Sequence, residues 1–200
     1  MTAPLPEGSA QSSLARLLDR QQIIDLIYRY CRAADRLDLE LIKTAFWEDG
    51  AFDGGPAEGP ILEIIPTLFE AVLPEMWLAS QHIVSNILIE FEGEQRAYVE
   101  TYLTAIHVSH GTHASRAALI GEDNARALNF KSNDTIEFTL GGRYIDVFAR
   151  RDGEWRILRR KIVPEWNRVA LYTGISTGGQ YELLQHRSSR DREDPVYRRD

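Results

Sequence analysis

The pattern of hydrophobic positions changes its period near residue 78. Before that point apolar residues recur every three to four positions, which is the spacing of one face of an α-helix. They form two adjacent rows: Ile23, Ile27, Tyr30 and Ala34, and then Ile24, Tyr28, Cys31 and Asp35. The sequence therefore predicts a helix over residues 20–35, opened by a capping box at Asp19-x-x-Gln22.

Two further helices and a short strand are predicted before the change of period. Asp38 is expected to cap a helix over "LELIKTAFW", and a strand is expected near Ala51–Asp53. "GGPAEGP" is predicted to be a loop because it is rich in glycine and proline. "ILEIIPTLFEAVLPEMW" predicts a third helix, interrupted near Pro66 because proline removes a helical hydrogen bond.

After residue 78 the pattern favours long strands. "SQHIVSNILIEFEG" and "EQRAYVETYLTAIHVSH" predict a hairpin that turns at Glu92–Glu94. "TIEFTLGGRYIDVFARR" and "EWRILRRKIVPEWNRV" predict a second hairpin that turns at Asp152-Gly153. Residues 111–134 between them are ambiguous and are expected to be a loop with a short helix.

Helices followed by antiparallel strands are typical of an α+β domain, with a curved sheet whose concave face the helices cover. The last strand is apolar on both faces, which carry Trp155, Ile157 and Val163, and Leu158, Ile162 and Trp166. A second subunit is expected to cover the other face, in a homodimer or homotrimer. We expect a disordered N-terminus over 1–13, the domain over 14–172 and a C-terminal extension over 173–200.

Composition narrows the class of protein. The chain has 200 residues, 44% of them hydrophobic and 26% charged, with a formal net charge of -7. No long basic run precedes the last 15 residues, so no nucleic-acid partner is predicted. No apolar window reaches the length of a membrane span and the start does not resemble a secretory signal, so no membrane partner and a cytoplasmic location are expected. Cys31 is the only cysteine, which excludes an internal disulfide.

Asp35 lies on the apolar side of the first predicted helix. An unpartnered buried carboxylate costs several kcal/mol, so Asp35 either ends the helix in water or points into a pocket and holds a partner. His82 is a suitable partner, because at strand spacing it shares a largely apolar face with Val84, Asn86 and Leu88. A single inside histidine is more often a core residue than a catalytic one. Paired with an aspartate, however, it becomes a base for proton removal at neutral pH.

Two more polar residues are candidates for the same pocket. Arg143 shares a strand face with Ile145 and Val147, where it would donate to an anion or oxyanion, unless it is a surface arginine after Gly-Gly. Tyr30 lies on the buried helical row, as a phenolic donor or as a core residue. The residues predicted to contact substrate are Tyr28, Asn86, His107 and Trp166.

Three histidines lie close together in "HVSHGTH", as His107, His110 and His113. Their spacing fits neither a strand face nor the helical i, i+4 pattern, so no metal is predicted, and His107 is preferred as a second pocket histidine. The sequence shows no glycine-rich nucleotide loop and no G-x-S-x-G elbow. Without a cofactor signature, the predicted chemistry is what side chains do unaided, mainly proton transfer on a small hydrophobic substrate.

Three stretches together resemble the SnoaL-like branch of the NTF2-like superfamily, from about residue 15 to 170. They are "IIDLIYRYCRAADRLDLELIKTAFWEDGAFD", "HIVSNILIEFEGEQRAYVETYLTAIH" and "GGRYIDVFARRDGEWRILRRKIVPEW", and the closing "DREDPVYRR" is also similar. The resemblance implies a cone-shaped, curved mixed sheet wrapped by N-terminal helices around a deep apolar pocket.

The branch includes scytalone dehydratase, bile-acid 7α-dehydratase, a hexachlorocyclohexane dehydrochlorinase and lignin-derived diarylpropane γ-formaldehyde lyases, several of which use an Asp–His base. By that resemblance Asp35 and His82 match the dyad, Tyr30 and Arg143 match the bile-acid dehydratase type, and His107 resembles the second histidine of the scytalone dehydratase type. The implied activity is a cofactor-independent lyase that eliminates water, halide or formaldehyde from a bulky aromatic or polycyclic substrate, with a lignin-derived diarylpropane as one candidate. The alternatives are an isomerase or cyclase, or a non-catalytic subunit such as the small subunit of a ring-hydroxylating dioxygenase.

Overall fold

A computed structural model of the protein describes residues 7–54 and 57–198. The first helix, α1, spans Glu7–Arg36 and begins well before Asp19. The predicted capping box is therefore wrong. Asp19 lies inside the helix, is buried, and accepts a hydrogen bond of 2.9 Å from Trp155 Nε1. Of the segment predicted to be disordered, residues 7–13 are helical, and residues 1–6 lie outside the described residues.

The predicted cap of the second helix is confirmed. Helix α2 spans Leu39–Lys43, and the Asp38 carboxylate accepts a hydrogen bond of 3.0 Å from the Leu41 amide. The helix ends earlier than predicted, because strand β1 already begins at Phe46 and continues to Gly54. Strand β2, Ala57–Pro60, pairs with β1 in the segment predicted to be a loop.

The third helical segment is interrupted, as predicted. Helix α3 spans Ile61–Thr67, a π-helical turn spans Leu68–Val72, and α4 spans Leu73–Met76. Pro66 lies just before the π-helical turn and has no amide hydrogen to donate to the preceding turn. Such π-helical turns widen a helix locally and occur often at functional sites.

Both predicted hairpins are confirmed. Strands β3 (Ala79–Glu92) and β4 (Arg96–Val108) form the first, and β5 (Ile136–Arg151) and β6 (Glu154–Leu171) form the second. Helices α5 (His113–Ile120) and α6 (Glu122–Ala127) connect them. The chain continues through a short α7 (Gly179–Glu182) to a 3₁₀ turn at Pro195–Tyr197.

The strands form one mixed sheet in the order β2-β1-β6-β5-β4-β3, in which β1 runs parallel to β6 and the other neighbours are antiparallel. The α+β prediction is confirmed. Irregularities in strand register interrupt the β3–β4 and β5–β6 pairs, and such bulges bend a strand and change which face its next residues occupy. The core lies between α1 and the inner face of the sheet, where Ile23 and Ile27 pack in one cluster with Tyr144 and Phe148. Among the described residues, no helix is both long and apolar enough to cross a membrane.

Candidate active site

A cavity of about 440 Å³ lies between the helices and the inner face of the sheet. Its size falls within the usual range for small-molecule sites, and its walls are mainly apolar. The apolar lining includes Phe52, Leu68, Phe69, Leu73, Met76, Trp77, Leu103, Phe138, Leu140, Ile162 and Pro164. Among the polar residues that line it are Tyr30, His82, His107 and Tyr144.

The end of α1 fixes the position of Asp35. Leu37 adopts a left-handed conformation with φ of 52°, and the Asp38 amide donates to the Ala33 carbonyl at 2.9 Å. This is the hydrogen bond of a Schellman helix stop, in which a non-glycine residue takes the position that glycine prefers. A left-handed leucine costs about 1–3 kcal/mol, so the surrounding contacts must hold this turn. Asp35 therefore lies in the last turn of a firmly ended helix.

Asp35 and His82 meet at the cavity. The His82 ring nitrogen Nδ1 lies 2.7 Å from Asp35 Oδ1, and the His82 backbone amide donates to Asp35 Oδ2 at 3.0 Å. The exposed fractions of the two side chains are only 9% and 13%. A carboxylate accepts but does not donate, so Nδ1 carries the proton and Nε2 keeps a lone pair. Within the described residues Nε2 makes no hydrogen bond, and it is therefore available to take a proton.

His107 lies in the cavity wall beside this pair. It is 5% exposed, and its ring centroid is 5.6 Å from that of His82 and 4.0 Å from that of Trp77. Burial, followed by the charge of a protonated His82, lowers the pKa of His107 to about 3, so the imidazole is neutral. Neither ring nitrogen has a hydrogen-bond partner among the described residues. Because buried polar groups are normally paired, His107 is well placed to bond a substrate or a water molecule.

Tyr30 also lines the cavity, as predicted for the buried row of α1. It is 7% exposed and packs edge-on against Phe46 and Tyr144. Burial raises the pKa of its phenol, an effect that the nearby Arg160 charge opposes. The phenol therefore stays protonated at neutral pH and remains a hydrogen-bond donor.

Arg160, which packs against the ring of Tyr30, was not among the residues predicted from the sequence. The Arg160 guanidinium carbon lies 4.0 Å from the ring centroids of Tyr30 and Tyr144. Its Nε and NH2 nitrogens donate to the Asp146 carboxylate at 2.8 and 2.6 Å. The arginine and the aspartate are both about 1% exposed. A register shift near Leu158 turns Arg160 inward. One sequence signal could have indicated this pair: Asp146 and Arg160 lie at nearly equal distances on either side of the Asp152-Gly153 turn, so they are close to opposite each other in the hairpin.

Arg143 does not line the cavity, and its predicted role there is wrong. Tyr144 faces inward, so its neighbour Arg143 points to the outer face of the sheet. There it bonds Glu100 at 2.8 Å and Glu165 at 2.7 Å. The three side chains form an ion-pair cluster on the outer face.

Bulges also move two predicted substrate contacts out of the cavity. Asn86 sits in the register shift between Ser85 and Ile87, with φ of 45°, and is exposed. Asparagine tolerates this left-handed conformation better than most residues. Trp166 pairs with Gly141 across a second shift, which leaves the indole on the outer face and 53% exposed. A Cβ on Gly141 would lie 2.0 Å from that ring, so only glycine leaves room for it.

Tyr28 is a third substrate contact that the structure does not support. It is 52% exposed on α1 and does not line the cavity. Its row lies at the edge of the buried stripe, so the row enters the core at Cys31 but faces solvent at Tyr28. Of the four residues predicted to contact substrate, His107 alone lies in the cavity wall.

The three clustered histidines diverge. His107 enters the cavity wall, His110 bonds the Pro74 carbonyl at 2.8 Å, and His113 bonds Glu122 at 3.1 Å. Within residues 7–54 and 57–198, no group of three or more potential ligands is arranged to hold a metal ion. The polar groups that the structure gathers at the cavity are instead an oriented imidazole base, a neutral imidazole and a neutral phenol, which together suit proton transfer.

Several solved structures share this fold. A candidate scytalone dehydratase from Novosphingobium aromaticivorans superposes with a TM-score of 0.58 and 20% identity, over 84% of this chain and 99% of its own. The hexachlorocyclohexane dehydrochlorinase LinA-type3 from Novosphingobium barchaimii superposes with a TM-score of 0.62 and 17% identity, over 84% of this chain and 99% of its own. At these identities the likeness establishes the fold alone.

Sequence comparison gives the family. No curated protein sequence matches the chain with significance. The SnoaL-like domain matches residues 15–161, which include most of α1 with Asp35, the first hairpin with His82, and the second hairpin as far as Lys161 in β6. Its extent over most of the chain, with the mixed sheet and helix-covered cavity described above, shows that this protein belongs to the SnoaL-like domain family.

Proposed function

We propose that the protein is a cofactor-independent lyase in which His82, oriented by Asp35, is the general base. The observation that carries this proposal is the 2.7 Å contact between His82 Nδ1 and Asp35 Oδ1 at the wall of an apolar cavity. The contact leaves Nε2 as the free basic nitrogen. A positioned base of this kind contributes about 10² to 10⁴ in rate.

The elimination begins with transfer of a proton from substrate carbon to His82 Nε2. The electron pair of the broken C–H bond forms a new double bond, and the leaving group departs from the neighbouring carbon with its own bonding pair. A departing hydroxyl needs a proton or a hydrogen bond, which the neutral phenol of Tyr30 supplies. A departing halide needs neither, so the same groups serve dehydration and dehydrohalogenation.

Loss of formaldehyde is the third outcome that this base permits. His82 then takes the proton of a hydroxymethyl oxygen, a C=O bond forms, and the adjoining C–C bond breaks. The released electron pair forms the new double bond and expels a leaving group from the next carbon. A diarylpropane with a hydroxymethyl group and a benzylic hydroxyl meets these requirements, and its two aromatic rings suit an apolar cavity of about 440 Å³.

The decisive experiment is turnover of a substrate panel by the wild type and by His82→Gln. The panel contains diarylpropanes, hydroxylated polycyclic compounds and halogenated rings, and mass spectrometry identifies what leaves. We expect one class to lose water, halide or formaldehyde, and His82→Gln to lower kcat by at least about 100-fold. Turnover by His82→Gln at the wild-type rate would contradict the proposal. A product of unchanged mass would identify an isomerase or cyclase.

We also propose that a second copy of the chain covers the outer face of the sheet. That face exposes large apolar side chains around the Arg143 ion-pair cluster, which a monomer would leave in water. They are Ile83, Leu88, Tyr98, Tyr102, Ile145 and Trp166. Light scattering is expected to give two or three times the chain mass, and Tyr102→Arg to give monomers. A monomeric wild type would contradict this assembly.

A further inference from the structure

The C-terminal segment of residues 189–198, here called the strap, is fastened to the junction between α1 and α2. Arg192 bonds Asp38 Oδ1 at 3.0 Å, and the Tyr197 hydroxyl donates to Asp38 Oδ2 at 2.7 Å. Asp194 pairs with Arg36 at 3.1 Å. The proposed elimination uses none of these contacts, although they surround the helix end that carries Asp35.

The strap has a defined internal structure of its own. Asp194 is 4% exposed, and its carboxylate accepts from the Ser189 and Val196 amides, both at 3.0 Å. Asp191 accepts from the Ser189 hydroxyl at 2.7 Å and from the Glu193 amide at 2.8 Å. These bonds hold the turn in one conformation, which directs the side chain of Arg190 toward the backbone carbonyls of Asp35 and Trp77.

Arg190 links the two elements that carry the Asp35–His82 pair. Its Nε donates to the Asp35 backbone carbonyl at 3.4 Å, and its NH1 donates to the Trp77 backbone carbonyl. Asp35 lies in the last turn of α1, and Trp77 lies two residues before β3, which carries His82. One guanidinium therefore bridges the end of α1 and the junction between α4 and β3.

The charge of Arg190 is also only partly compensated. Burial lowers its pKa to about 10, against the opposing effect of the Asp35 charge, so it remains a cation at neutral pH. Among the described residues the hydrogen bonds of Arg190 go to backbone carbonyls and not to a carboxylate, and its NH2 nitrogen is buried without a partner. Even a partly buried cation is costly unless a negative charge lies nearby, and the charge of Asp35 favours the protonated form of Arg190.

We infer that Arg190 is a positioning residue: it holds the end of α1 against the start of β3 and thereby fixes the geometry of the Asp35–His82 hydrogen bond. Its effect on turnover rests on the proposed function. Its effect on the geometry of the dyad does not, because that geometry is measured without any substrate. The strap is thus a structural part of the candidate active site.

The test uses nuclear magnetic resonance on the full chain. The first readout is the downfield proton of His82 Nδ1, and the second is exchange of the His82 amide hydrogen, which is bonded to Asp35 Oδ2. Arg190→Met is expected to broaden or abolish the Nδ1 signal and to speed amide exchange by about tenfold. Arg190→Lys, which keeps the charge and a donor, is expected to recover both in part.

Arg187→Met is the matched control, because Arg187 lies outside the strap and bonds the Tyr181 carbonyl, not Asp35 or Trp77. It is expected to leave both readouts within about twofold of wild type. The inference is overturned if Arg190→Met leaves both readouts unchanged, if Arg187→Met alters them equally, or if Arg190→Lys recovers neither.

Turnover separates this inference from the proposed function. If His82→Gln is inactive and Arg190→Met alters neither readout, the lyase proposal stands and the positioning role fails. If His82→Gln retains full turnover while Arg190→Met disturbs the dyad signals, the lyase proposal fails and the positioning role stands. Where both hold, Arg190→Met is expected to lower kcat by about tenfold with little change in KM.

Discussion

Two pairs of an aspartate and a basic side chain face the inner side of the sheet. They differ in whether one of their nitrogen atoms is available to take a proton from a substrate. Asp146 and Arg160 are both about 1% exposed and joined by two short hydrogen bonds. Asp35 and His82 keep some exposure, and His82 Nε2 has no partner among the described residues. The nitrogen that the first pair leaves unpaired among the described residues, Arg160 NH1, is buried and cannot act as a base, so this pair suits a structural role. The second pair keeps one basic atom available at the cavity.

The largest expected effect is on stability, and it separates the two pairs directly. Asp146→Asn leaves a buried guanidinium without its negative partner and is expected to lower the free energy of unfolding by about 3–5 kcal/mol. Asp35→Asn is expected to cost only about 1–2 kcal/mol, since the Asp35–His82 pair is partly exposed and water can reach the groups that lose their partner. Urea denaturation of both variants measures this, and equal losses would remove the distinction.

The second prediction concerns activity, for which the Asp35–His82 pair is expected to matter more than it does for stability. An asparagine at position 35 no longer fixes the His82 tautomer, so Asp35→Asn is expected to lower kcat by about 100-fold, or about 2.7 kcal/mol. The matched control is Asp25→Asn on the exposed side of the same helix, where the aspartate bonds Gln21. The expectation fails if both variants keep wild-type kcat on the identified substrate.

The third prediction concerns the neutral histidine next to the dyad. Because the folded-state pKa of His107, about 3, lies below the ordinary value of 6.5, the unfolded chain binds more protons below pH 6.5. Stability therefore falls as the pH falls, by about 2 kcal/mol between pH 6.5 and 5 from this group. His107→Phe keeps an aromatic ring against Trp77 and Phe138 and is expected to remove that part of the loss.

Urea unfolding of wild type and His107→Phe at both pH values provides the measurement. His82, Asp35 and Arg190 act electrostatically on the charged form of His107, which exists in the wild type and not in His107→Phe. The difference between the two curves therefore reports on this imidazole. An identical pH dependence in the two proteins would show that His107 is not held neutral by burial.

The smallest expected effect concerns Tyr30, whose ring packs against Arg160 and lines the cavity. Tyr30→Phe keeps the ring over Arg160 and removes only the hydroxyl, so kcat is expected to fall by about tenfold, or about 1.4 kcal/mol. Tyr28→Phe, on the exposed side of the same helix, is the matched control. If the leaving group proves to be halide, which needs no proton, the Tyr30 effect should shrink toward that of the control.

Local sequence patterns were sufficient for the elements that depend on near neighbours. The cap at Asp38, the interruption after Pro66 and both hairpin turns were predicted, because each follows from residues within a few positions. The contact between Asp35 and His82 was also predicted, since a carboxylate and an imidazole on apolar faces need partners.

The errors arose where the strands are irregular. A single extra residue in a strand exchanges the two faces for everything beyond it, and a pattern of period two does not reveal where this happens. Shifts of this kind moved Asn86 and Trp166 out of the cavity and turned Arg160 into the core. Arg143 was misplaced for a related reason, because both faces of β5 carry apolar residues.

By itself, the sequence determined the class of fold, the order of its elements and the acid and base of the candidate dyad, because helical and strand periods and the cost of burying charge act locally. Only the tertiary structure decided which arginine lies beneath the cavity and that the strap brings Arg190 to the end of α1. Those placements depend on bulges and on contacts between residues more than 100 positions apart, which no local pattern encodes.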